Sequence, residues 1–280
     1  MTSILEIYDV ATGEVRRILT TERLIEAPNW YPDGSGLLVN ADGYLWRVPF
    51  DDPKLVEVPT GAAVKCNNDH AISPDGTQIA LSSHHLGNGS EIFLVPLAGG
   101  EAQLVSLAPP SWFHGWSPDG KWLTYPAARG GTRVLDIYKL NLETRQEMRL
   151  TQAQGHHDGS DFSADGTQIY YNCDRDGHAQ IWVMAADGTS QRKLFADTFV
   201  NWFPHPSPCG HHLLYLAYPP GTQGHPRDLP VALVLCKPDG TERRRILEFT
   251  GGQGTMNVPN WAPDGSAFAY VRYEPSGESR

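Results

Sequence analysis

One tight-turn phrase returns six times along the chain: YPDG ending at Gly34, SPDG at Gly76 and again at Gly120, SADG at Gly166, SPCG at Gly210 and APDG at Gly265. Proline presets φ and glycine accepts a positive one, so each copy reads as the turn of a hairpin. The turn glycines stand 42, 44, 46, 44 and 55 residues apart, the length of one four-stranded sheet with its connections. A unit of that size cannot bury both faces of its sheet alone and must stack on a neighbour of the same kind. The period predicts an all-β chain folded as a six-bladed β-propeller.

Each interval repeats the same internal order. An apolar or aromatic residue precedes the turn Asp by three positions (Trp30, Ile72, Trp116, Phe162, Trp261), and β-rich runs such as QIALSS and EIFLVPL follow, with a short closing run such as AQLVSL. The fifth copy is irregular, with Pro206 and Cys209 at the aromatic and Asp positions. The chain holds 28 Gly and 22 Pro and only 19% charged residues, a mixture that favours many short strands over long helices. After the last turn a single strand, SAFAYVRYE, precedes a polar tail, whereas ILEIYDV and VRRILT near the N-terminus match the third and fourth strands of a blade. Residues 1–22 are expected to complete the blade formed by 256–273, which makes residues 1–280 one domain with no unpaired lateral edge.

The phrases NWYPDGSGLLVNADGYLWRVP, SPDGTQIALSS and SADGTQIYYNCDRDGHAQIWVMAADG resemble the repeats of the TolB-type six-bladed propeller, the WD40-like PD40 repeat, over nearly the whole chain. The phrases CNNDH, WFHGW, WFPHP, HPRDL and GGQGTMN are similar to those of small bacterial TolB-related proteins. Propellers of this type serve as protein-binding platforms, as gating domains of peptidases and as lyases, so the resemblance implies a fold and leaves the activity open. Neither the α/β N-terminal domain nor the export signal of TolB is expected here, and a periplasmic Tol-system role is not implied.

Lys and Arg number 22 against 32 Asp and Glu, a net charge of −10 with no basic tract to neutralise a phosphate backbone, so no nucleic-acid partner is expected. The opening MTSILEIYDVATGE is acidic where a signal peptide needs a basic region. No apolar stretch approaches the roughly 18 residues of a membrane span. A soluble, cytoplasmic protein with no membrane partner is expected. Cys66, Cys173, Cys209 and Cys236 lie far apart without a CxxC pair and read as free thiols.

In such a blade the innermost strand runs from one face, the mouth, down the channel to the turn, and the second strand returns to the mouth. Residues before each turn and the loops between second and third strands therefore share one face. His70, His114, His156, His157 and His205 precede turns, and His84, His85, His178 and His225 fall in those loops, so nine of the eleven histidines are expected there. Registered on the turns, His70 and His114 fall at the same depth in neighbouring blades. Asn67, Asn68, Asp69, Asp158, Trp112, Trp202 and Asn257 stand farther toward the mouth, beside Asp161 and His157 on the fourth inner strand. The mixture of hydrogen-bonding groups and aromatic surfaces is that of a ligand pocket, against the alternative of a polar channel that holds only ordered water.

The insertion YPPGTQGHPRDLP in blade five puts His225, Arg227 and Asp228 on a proline-braced loop over the mouth. Arg227 there could grip a carboxylate in two-pronged fashion or pair with Asp228. FTGGQGTMN brings Gln253, Thr255 and Asn257 to the same rim, without the Lys or the strand-to-helix context of a phosphate loop, so neither a nucleotide nor a flavin is expected. His70, His114 and His205 with Asp161 or Gln253 are a candidate mixed N/O set for manganese, zinc or iron. Oligogalacturonate lyases, also propellers, resemble this in using axial histidines and a glutamine around a divalent ion. Asp158 and Asp161 are a candidate acid–base pair, and His70, His114 and His205 are candidate bases. There is no GxSxG to suggest a serine nucleophile. Two functions are open to such a chain: a pocket that binds, and in a lyase or hydrolase transforms, a small polar molecule such as an acidic sugar or oligosaccharide, or a scaffold whose mouth receives a protein segment.

Overall fold

The computed structural model describes residues 1–152 and 154–275, and those residues form strands, turns and loops with no helix. Five four-stranded antiparallel meanders follow one another, beginning at Glu26, Cys66, Gly115, His157 and Val200. The sixth sheet joins the two ends of the chain. The strand Thr2–Asp9 pairs residue for residue with Ala267–Glu274 and on its other side with Val15–Thr21. The inner edge of this sheet is reduced to a single bridge from Trp261 to Phe268. Across the seam the Tyr270 hydroxyl donates to Glu6 at 2.7 Å and Arg272 Nε donates to the same carboxylate at 3.0 Å. The ring is thus an all-β, six-bladed propeller.

Apolar packing lies between blades. Six buried clusters correspond to the six blade-to-blade interfaces, from Leu38 and Leu45 against Ile79, Leu81 and Phe93 round to Leu5 and Ile7 with Leu37 and Val39. Both faces of a middle strand are therefore covered, which explains uninterrupted burial along GLLVNA and LLYLAY. Each fully buried aliphatic side chain contributes on the order of 1.5–3 kcal/mol, so opening any one interface would forfeit several such contributions.

The turns work as their composition predicts. In SPDG, Ser73 Oγ donates to Asp75 Oδ1 at 2.6 Å, the same oxygen accepts from the Thr77 amide at 3.0 Å, and Gly76 takes φ +68°. The aromatic residue before the turn ties blades together: Trp116 Nε1 donates to the Ala71 carbonyl at 3.1 Å and Trp261 Nε1 to that of His205 at 2.9 Å. The irregular fifth copy closes a complete sheet, Val200–Pro206 to Arg244–Gly252.

A recurrent irregularity decides where the inner strands aim their side chains. Pairing shifts between Glu26 and Asn29, between Cys66 and His70, between Asp158 and Asp161, and between Trp202 and His205. In three of these bulges a residue with positive φ stands at the same register, Ala27 (+53°), Gly159 (+59°) and Phe203 (+54°). Each of these four inner strands is thereby divided into a mouth segment and an axial segment.

Candidate functional site

The mouth segments and three loops enclose a cavity of about 290 Å³. Blade two supplies Asn67, Asn68 and Asp69, blade three Trp112 and His114, blade four His156 and Asp158, and blade five His225 and Phe203. Gln253 and Asn257 close it from the connection into blade six.

At its centre is Asp158. Its carboxylate lies 3.1 Å from His114 Nε2, 3.3 Å from His156 Nε2 and 3.7 Å from His225 Nε2, and it accepts from the Gly159 amide at 2.8 Å. Burial alone would raise its pKa, but the three imidazoles outweigh burial and hold the carboxyl well below the ordinary value. His114 also faces Asp69, at 3.9 Å. Burial disfavours its imidazolium, yet Asp158 and Asp69 together raise its pKa, and Asp158 does the same for His156. Burial pushes Asp69 up to about 6, with His114 opposing. His225 is oriented by contact of its Nδ1 with Gln253 Oε1 and by edge contacts with Trp202 and Phe203, at 4.5 and 5.1 Å between ring centres. Among the described groups the cavity therefore holds a carboxyl kept low in Asp158, one raised to about 6 in Asp69, and imidazoles biased toward the cation in His114 and His156.

Several expected members are elsewhere. His70 is fully enclosed, with both ring nitrogens lacking a hydrogen-bond partner, and it does not line the cavity. It sits on a paired residue of its strand, opposite Leu81, whereas strand pairing in blade three begins only at Gly115 and leaves His114 on the approach to the axis. The two are at the same register without sharing an environment. His205 is spent on structure: Nδ1 is 3.0 Å from Asp161 Oδ2 and Nε2 is 2.9 Å from the Met256 carbonyl. The bulge at Gly159 turns Asp161 away from Asp158 toward the opposite opening, so the two carboxylates are not an acid–base pair in one pocket.

His157 points between blades, 3.2 Å from the Leu135 carbonyl and 3.3 Å from Asp136 Oδ1. Trp202 lies beneath His225 rather than in the cavity wall, leaving Trp112 and Phe203 as the aromatic lining. Arg227 pairs with Asp228 at 3.2 Å and acts on Glu26 instead of reaching into the cavity. Thr255 caps its own turn, accepting from the Gly252 amide.

The ion-binding set His70, His114, His205 and Gln253 is consequently not assembled, because His70 is enclosed away from the cavity and His205 is bonded to Asp161 and the Met256 carbonyl. Among the described residues no cluster of three His, Cys, Asp or Glu side chains is arranged to hold a metal ion. Glu26 was not marked by the motifs. It is a half-buried carboxylate whose pKa burial raises, accepting from Asn40 at 3.1 Å and Asn68 at 3.4 Å behind the cavity wall. A signal existed: seven positions before each turn Asp, or before Cys209, stand Glu26, Asn68, Trp112, Asp158, Trp202 and Asn257. That register, two steps farther from the turn than the histidines, supplies the wall at Asn68, Trp112, Asp158 and Asn257 and its backing at Glu26 and Trp202.

Residues 69–226 match the family model described as the TolB beta propeller domain. The uncharacterized protein Atu1656 of Agrobacterium fabrum is 45% identical over 276 residues, 98% of this chain and 94% of that protein. A solved structure of a TolB-like protein from Agrobacterium tumefaciens superposes with a TM-score of 0.96 at 45% identity, over 99% of both chains. Two oligogalacturonate lyase structures, one from Vibrio parahaemolyticus and one in complex with manganese, share the fold at 16% identity and a TM-score of 0.58, over 95% and 94% of this chain and 76% of theirs.

Proposed function

Given that the chain belongs to the TolB-type β-propeller family, we propose that its mouth cavity binds a small, hydroxyl-rich molecule, an acidic sugar or a short oligosaccharide. The observation that carries this is the buried carboxylate of Asp158 shared by three imidazoles on the cavity wall. Asn67, Asn68 and Asn257 offer amides to hydroxyl groups, Trp112 offers an aromatic surface to a sugar ring, and the His156 imidazole, whose pKa Asp158 raises, meets a uronate carboxylate with His225 beside it. A carbohydrate ligand agrees with the fold shared with oligogalacturonate lyases.

The same groups support proton transfer. In an elimination next to a carboxylate, ionised Asp69 would take the carbon-bound proton and the freed electron pair would form the double bond. The carbon–oxygen bond to the leaving group would then break, with His114 protonating the departing oxygen. Calorimetry with galacturonate and short oligogalacturonates tests the site, using His114→Gln and Asp158→Asn. Both variants should melt cooperatively and lose binding, and Asp158→Asn should lower the pKa of His114 and His156 in proton NMR. Unchanged affinity in both variants overturns the proposal.

A protein segment at the mouth is the second reading, favoured by Leu86, Leu107 and Val134, which are 50%, 49% and 41% exposed on mouth-side connections of blades two and three. A stoichiometric partner retained by the wild type through chelation, and lost from Leu86→Asp and Leu107→Asp, would support it.

A further inference from the structure

The opposite end of the axis carries a second cavity, about 370 Å³ in volume, that shares no lining residue with the mouth. Its rim is made by the repeated turns. The turn proline of five blades lines it, with Ala164 in the sixth, and the wall below presents Trp30, Trp116, Phe162 and Trp261. Polar groups are few and mostly engaged. Asn29 donates to the Pro259 carbonyl at 2.7 Å and accepts from the Ile72 amide at 2.8 Å, and Ser73 is bound within its own turn. Asp161 reaches the floor, with one oxygen on His205.

The surrounding charge is mostly negative. The turn residues Asp33, Asp75, Asp119, Asp165 and Asp264 are exposed around the opening, and hydrogen bonds from serine, threonine or backbone groups of their own turns keep each carboxyl below its ordinary pKa. The turns between third and fourth strands emerge on the same face and add exposed Asp51, Asp52, Asp187 and Asp239. Lys54, Lys121, Lys237 and Arg145 on these turns offset part of this charge, and three of the four are engaged, with Asp52, Glu242 and the Val105 carbonyl.

We propose that this funnel is a second ligand site and that its occupant is a small organic cation, an ammonium group carried on an apolar body. An apolar body would displace water from proline and aromatic walls, at roughly 25 cal/mol per Å² buried. A cation beside indole rings gains attraction to their electron-rich faces. The carboxylate ring concentrates positive ligands at the opening, whereas an anion would be repelled by the same field. A cavity of 370 Å³ lies in the range that encloses a drug-sized molecule. The proposal is independent of the mouth and of what binds there.

Phenethylamine, 2-phenylethanol and 3-phenylpropionate serve as matched cationic, neutral and anionic probes, followed by tryptophan fluorescence and saturation-transfer NMR. The amine should bind at least about tenfold more tightly than the alcohol, the anion should not bind, and added salt should narrow the gap because the rim charges are exposed. Ala164→Trp, at an exposed turn position, should block the amine while leaving the melting temperature and any galacturonate binding at the mouth unchanged. Asp75→Asn with Asp119→Asn, which keeps the turn hydrogen bonds, should reduce the preference for the amine. Equal affinity for amine and alcohol, no binding of any probe, or amine binding that survives Ala164→Trp overturns the proposal.

Discussion

Replacing His70 by leucine separates a shielded core histidine from a reactive one. The ring is enclosed between the first two blades, and burial pushes its pKa down to about 4 from the ordinary 6.5, while nearby backbone groups of Leu38, Asn67 and Ala27 offset this only in part because none makes a well-formed hydrogen bond to it. The folded state therefore refuses a proton that the unfolded chain accepts. Stability from this group is complete above about pH 6.5, declines as the pH falls, and is fully lost near pH 4. At about 1.4 kcal/mol per pH unit, the loss across that window comes to about 3 kcal/mol. Urea unfolding of wild type and His70→Leu across the same range measures it. Other acid-sensitive groups, Asp69 among them with the opposite sign, contribute to both proteins and largely cancel in the difference. The variant should match or exceed wild type at neutral pH, because two buried nitrogens without partners are removed. It should then gain about 3 kcal/mol on wild type toward pH 4. A difference that does not change with pH would refute the reasoning and show the ring to be solvated or hydrogen-bonded.

His205→Leu leaves buried Asp161 without its partner and should destabilise the fold by about 3 kcal/mol in denaturant titration, with no change in galacturonate affinity at the mouth; lost affinity without lost stability would return His205 to the site. Chelation should leave the melting temperature unchanged and elemental analysis should find less than one ion per chain, since His70 and His205 face away from the cavity; a stoichiometric ion whose removal lowers the melting temperature would contradict this assignment.

The blade count was legible because a turn is a local object. Pro-Asp-Gly and its flanking serine or threonine determine their own geometry within a few residues, so six copies could be counted without knowing what they pack against. The strand Ala267–Glu274 signalled its missing neighbours for a similar reason, since an unpaired edge inside a ring would leave backbone groups unsatisfied. The candidate site was legible in part. Asn67, Asn68, Asp69, Trp112, His114, Asp158, His225, Gln253 and Asn257 do meet in one cavity, while Glu26 went unmarked because a lone glutamate in a strand carries no local signature.

Register relative to the turns placed residues along the axis but could not orient them around it. A strand alternates sides at every residue, so one extra residue in an inner strand reverses the facing of every side chain beyond it. The bulge at Gly159 sends Asp158 to the mouth and Asp161 to the opposite funnel, three positions apart in sequence. Whether a histidine faces a cavity or a neighbouring sheet depends on which blade lies beside it, a contact between residues about one repeat apart. The chain by itself thus determined the turns and the period, fixed by short-range backbone geometry, and the closure of the ring, required by a strand left without neighbours at one end of the chain. The choice of which polar side chains converge on Asp158, and which are sealed between sheets, belonged to the packing of one blade against the next.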